Sequence, residues 1–168
     1  MRMIMSEQWR SYTNKKLHYA RLQLDAWESA ESFEQEAYRE AFLMHACQAY
    51  SSMLAEVIFP YGKQLTKLVS LEEVCDLLND QDESIPELEQ LKQLESSDSW
   101  LVHLQQAYSK LSVLDEDSQS VSGRVTAVMI TSDREDLTSG VKTPESGRNI
   151  LASLKELVGH FRNFNLEW

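Results

Sequence analysis

"PESGRNILASLKELVGHFRNFNLEW", residues 144–168, decides the fold. Ile150, Leu154, Leu157, Phe161, Phe164 and Trp168 recur by four and three, and Leu151 and Val158 widen the stripe. That is one face of an α-helix laid against other helices. Thr143 ahead of Pro144 and Glu145 offers an N-cap oxygen, a proline where no N–H is needed, and an acid at the positive end of the dipole. Such a helix gains its stability from packing, so partners of the same kind are sought upstream.

Residues 6–30 place Trp9, Tyr12, Tyr19, Ala20, Leu24 and Trp27 near helical spacing, with no Gly or Pro between them. Ser32 and Gln35 have the form of a capping box, which predicts a second helix from near Phe33 to about Phe59, halted by Pro60 and Gly62. Its small residues, such as Ala37, Ala41, Ala46, Ala49 and Ala55, allow close helix approach, and Phe33, Met44, Leu54 and Ile58 supply bulk. It reads as the central helix of the protein, antiparallel to the first.

"KQLTKLVSLEEVCDLLND", residues 63–80, predicts one kinked helix or two short ones, with Ser70 and Glu73 as a second capping box. Pro86 opens a short helix holding Leu88, Leu91 and Leu94, and Ser and Asp residues cap another from Trp100 that carries Leu101, Leu104, Tyr108 and Leu111. The expected fold is all-α: an antiparallel bundle of four to six helices in one domain, residues 1–168. Between the last two helices, residues 115–142 lack helical period and form an expected extended arm. "GRVTAVMITSDREDLTSG", residues 123–140, has a β-branched first half. The favoured reading is a crossover sealing the bundle; the alternative is a strand offered to a partner through Val125, Val128 and Ile130.

Composition narrows the function classes. The 168-residue chain carries a net charge of −11, and residues 72–98 hold ten acidic residues against one Lys, so a general nucleic-acid surface is not expected. Arg2, Arg10, Lys15, Lys16 and Arg21 make the first helix locally basic, while Arg148, Lys155 and Arg162 form a basic stripe read as solvated or matched to the 72–98 acids. Cys47 and Cys75 lack metal-ligand spacing and read as reduced, buried thiols. No apolar run approaches membrane length, and a cytoplasmic location is expected.

Motifs for chemistry are sparse. A di-metal carboxylate bundle needs Glu three residues before His, where this chain has Lys15, Phe42, Trp100 and Leu157. Asp80, Asp82 and Ser84 imitate a calcium loop, but Ile85 and Leu91 stand where Gly and Glu are required. Phosphate-binding, nucleophile-elbow and zinc-hydrolase signatures do not occur. No metal or cofactor is expected. Arg39 and His45 in "REAFLMH" have the spacing of a HEPN-type ribonuclease, with His45 as acid or base and Arg39 on the scissile phosphate. Against that, Glu40 would repel phosphate, and the favoured reading is an exposed Arg39 and a satisfied core or boundary His45. The remaining candidate is an aromatic and polar surface on the first helix: Tyr12, Asn14, Lys15, Tyr19 and Trp27.

"WRSYTNKKLHYARLQLDAWESAE", residues 9–31, and the closing "FRNFNLEW" resemble an uncharacterised family of short bacterial proteins, a domain of unknown function. The resemblance extends to the layout of nearly the whole chain. It implies a compact helical protein and transfers no activity. The expected function is therefore a non-enzymatic interaction or adaptor module that binds an unidentified protein partner or a second copy of itself.

Overall fold

The computed structural model describes residues 2–78, 85–113 and 140–164, with backbone alone for residues 2–5. The described residues form six α-helices and no strand: α1 (Arg2–Ser29), α2 (Gln35–Ile58), α3 (Leu71–Leu78), α4 (Pro86–Ser96), α5 (Trp100–Lys110) and α6 (Pro144–Phe164), with a 3-10 turn at Phe59–Tyr61. Among them, no helix is long and apolar enough to cross a membrane. The arm's apolar residues, Val125, Val128 and Ile130, lie outside the described residues, as do Asp80, Asp82 and Ser84.

α1 buries Thr13, Leu17, Ala20, Leu24 and Trp27, a line with intervals of four, three, four and three. Opposite it, Thr13 Oγ1 lies 2.9 Å from Ser52 Oγ, Tyr19 meets His45 and Trp27 meets Phe42. Partner numbers fall as α1 rises, so the two helices are antiparallel. α6 reaches Trp27 and Phe42 at Gly147 and reaches Asn14 and Glu56 at Arg162, antiparallel to α1 and parallel to α2. A Cβ on Gly147 would stand 3.2 Å from the Trp27 ring, so this glycine sets the closeness of α6 to the α1–α2 hairpin.

The second half of α2 is buried almost all round, including Met53, Leu54, Ala55, Val57 and Ile58. It contacts α1, α3, α5 and α6, as the expected central position requires. The buried apolar residues of all six helices form one continuous cluster. In α6 the core line is Gly147, Ile150, Leu151, Leu154, Val158 and Phe161, whereas Phe164 is exposed and Trp168 lies outside the described residues.

Side-chain caps set the starts of α3, α5 and α6. Ser70 and Glu73 form the expected reciprocal box, Glu73 Oε2 accepting from Ser70 N at 2.7 Å and Ser70 Oγ from Glu73 N at 3.2 Å. Ser99 Oγ accepts from Val102 N, and Thr143 Oγ1 from Ser146 N. Gly62 ends the 3-10 turn at φ 79°, a left-handed conformation that favours glycine.

Three local expectations are corrected. The Ser32–Gln35 box does not form: Glu34 is the N-cap, Gln35 Nε2 turns back to donate to Ala30 O, and Phe33 is exposed. Residues 63–70 are not helical, because the Ser70 box starts α3 one residue later and the Leu65 carbonyl accepts from the Trp9 indole instead. The two arginines of the basic stripe of α6 are not matched to the 72–98 acids among the described residues: Arg148 pairs with Glu28 and Arg162 with Glu56. These acids lie on the two helices that flank α6.

Close packing around α2 also governs titration. Burial pushes the Cys47 thiol up to about 12. Burial, followed by the Glu95 charge, raises the Tyr50 phenol as well. The fold therefore favours the neutral forms, whereas an unfolded chain ionises thiols near about 8.5 and phenols near about 10. Stability from these groups is complete below about pH 8.5 and is lost as pH rises toward about 12. Urea midpoints measured at intervals across this range should fall progressively, and Tyr50→Phe should flatten the decline.

Candidate functional site

Alongside the buried line of α1 runs a second one, Trp9, Tyr12, Lys16 and Tyr19, at intervals of three, four and three. Its position at the margin of the α1–α2 interface leaves each side chain partly open. Trp9 and Tyr12 meet edge to face with centroids 5.7 Å apart. Lys15 Nζ and Lys16 Nζ stand 5.1 and 5.3 Å from the Tyr12 ring centroid, and Lys16 Nζ is 5.7 Å from that of Tyr19. A cation held on an aromatic face contributes about 0.5–1 kcal/mol at an exposed site, enough to bias long lysine side chains toward the rings.

Across the helix pair, Tyr19 packs edge to face on His45 at 5.3 Å. Burial and then the Lys16 charge hold the His45 imidazole below its ordinary value, with Gln48 opposing. No described group completes a hydrogen bond to buried His45 Nδ1 or to Gln48 Oε1. His45 is thus the boundary histidine expected from the sequence, but its ring is not fully satisfied.

At the other end of the row, Trp9 Nε1 donates to Leu65 O at 3.0 Å and pins the non-helical 63–70 segment against α1. Gln8, Trp9 and Tyr12 on one side and Leu65–Leu68 on the other enclose a groove of about 420 Å³. Its walls combine an indole, a phenol and leucine side chains with Lys67 and the nearby Lys15 and Lys16. The arrangement suits a ligand with apolar groups and negative charge. Among the described residues, no group of three or more His, Cys, Asp or Glu could hold a metal.

The sequence candidates separate accordingly. Tyr12, Lys15 and Tyr19 share this face. Asn14 is exposed, and its Oδ1 accepts from Arg162 at 2.8 Å, so it ties α1 to α6. Trp27 is 2% exposed and belongs to the core, correcting its place in the surface set. Arg39 is not exposed as expected: its side chain is 17% accessible, Nε donates to Val141 O at 2.7 Å, and it pairs with Glu36. His45 belongs to the α1 face, and no hydrogen bond or ion pair joins it to Arg39 among the described residues.

Sequence reasoning passed over Lys16, Lys67 and the wall at 65–68. Lys16 stands four residues after Tyr12 and three before Tyr19, the spacings at which helix side chains meet, so its role was within reach. The wall does not follow from the sequence, because the leucine spacing of residues 63–70 matches a helix while their structure is non-helical. No curated protein and no solved structure matches the chain. A family model does match, over residues 5–168, from the aromatic row of α1 to the final Trp, and by this match the chain belongs to the family of unknown function DUF6586.

Proposed function

We propose that this protein is a bacterial, cytoplasmic interaction module that binds an acidic, aromatic-containing or leucine-containing segment of a partner protein along the Trp9–Tyr19 face of α1. The observation that carries the reading is the row of part-exposed rings with lysines on their faces, continuous with the groove at Leu65–Leu68. Apolar side chains of the partner enter the groove, and its carboxylates meet Lys15, Lys16 and Lys67. The basic face is distinctive on a chain whose net charge is −11, so charge complementarity orients the partner as well as attracting it.

A photocrosslinking residue placed at Tyr12, with a control at exposed Lys155 on α6, tests this in native lysate. The partner captured at position 12 is then purified and titrated. Tyr12→Ala with Lys16→Glu should weaken its binding at least about tenfold without lowering the melting temperature. Equal capture from position 155, binding unchanged by the double variant, or RNA as the bound species would overturn the proposal.

A further inference from the structure

A second cavity lies on the other side of α2, about 300 Å³ in volume and bounded by α2, α3, α4 and α5. Leu71, Leu101 and Leu104 form buried apolar walls, and Tyr108, 40% exposed, stands at the open side. Glu95 projects into this setting from the last turn of α4. Tyr50 Oη donates to its Oε1 at 2.9 Å, and Gln105 Nε2 donates to the same oxygen at 2.8 Å. Both donors being on one oxygen leaves Oε2 without a hydrogen-bond donor among the described residues.

Among the described residues, no Lys, Arg or His lines the cavity. Lys92, one turn before Glu95, is paired with Glu89 at 2.9 Å. Glu95 is thus a half-buried carboxylate held by two neutral donors at the edge of a cavity of mixed lining, three leucines together with tyrosine, serine and glutamine side chains, and it has no cationic partner among the described residues to offset its partial desolvation. A purely apolar ligand would leave Oε2 unpaired, and an anion would be repelled by it and by Glu72 at the rim. The remaining chemistry is a cation with N–H donors and an apolar body.

We infer that this cavity is a binding site for a small primary ammonium compound with an aromatic or branched apolar body, and that Glu95 is its counter-ion. The ammonium donates to Oε2, the body fills the space between Leu101 and Leu104, and Tyr108 covers it with a ring face suited to cations. Cys47 also borders the cavity, but its thiol, pushed up to about 12 by burial, stays protonated and contributes contact without nucleophilic chemistry.

The test is a protein-observed NMR titration of the full chain with benzylammonium chloride and, at matched ionic strength, with benzyl alcohol as the neutral counterpart. Saturable shifts centred on Tyr50, Glu95, Gln105 and Tyr108 are expected, with a Kd of about 1 mM or tighter for so small a ligand. Benzyl alcohol should bind about tenfold more weakly, and Glu95→Gln should erase the difference. Tyr108→Leu, at an exposed position, should weaken benzylammonium about threefold and keeps the test decisive if Glu95→Gln unfolds. Equal binding of the alcohol, shifts scattered over the acidic surface and removed by about 0.15 M salt, or no saturation would overturn the assignment.

Discussion

Replacing Phe42 by Ala is expected to lower the unfolding free energy by about 3–5 kcal/mol, the usual cost of deleting a fully buried aromatic side chain. Phe42 has no exposed surface and stands where three helices converge. Its ring lies 6.2 Å from that of Trp27 on α1, and its edge faces Gly147 on α6. Gly147 already lets the backbones approach closely, so α6 has little room to move in and collapse the space left behind. A urea titration should show a lower midpoint at unchanged slope, and a loss below about 1 kcal/mol would mean that this junction is not packed as described.

Arg162→Met is expected to cost about 2–3 kcal/mol, large for a side chain outside the apolar core. The Arg162 guanidinium donates twice to Glu56, through Nε and Nη2 at 2.9 Å each, and through Nη1 to Asn14 at 2.8 Å. It therefore fastens α6 to both α2 and α1. Accessibilities of 20% for Arg162 and 11% for Glu56 show how little water reaches the pair. Removing the cation strands the carboxylate, whereas removing both charges does not. Adding Glu56→Leu to Arg162→Met should recover at least half of the loss, and a double-mutant cycle that shows simple additivity would refute the coupling.

Much of the candidate site was legible because it follows helical spacing. Tyr12, Lys15 and Tyr19 were drawn to one face by their intervals alone, and the structure keeps them there. Trp27 shows the limit of that reasoning. It shares the aromatic character of Trp9 and the same helix, but lies 18 residues on, which is five turns, and the partner it meets decides its burial. Phe42 and Gly147 pack on Trp27 in the core, while Trp9 stays partly open, held by the Leu65 carbonyl of the 63–70 segment and the edge of Tyr12.

The sequence by itself determined the all-helical class, the helices outside residues 63–70, the capping of α3, α5 and α6, and the central role of α2, since each depends on residues within a few positions of one another or on the overall apolar pattern. Only the tertiary structure decided where Arg39 goes, bound to a carbonyl 102 residues away, and where Arg162 goes, 106 residues from its acid. The same holds for the groove beside Trp9 and the cavity at Glu95, whose walls come from segments far apart in the chain. Local preferences act over one or two helical turns, and the competition among distant partners for one charge or one surface is resolved only when the helices pack.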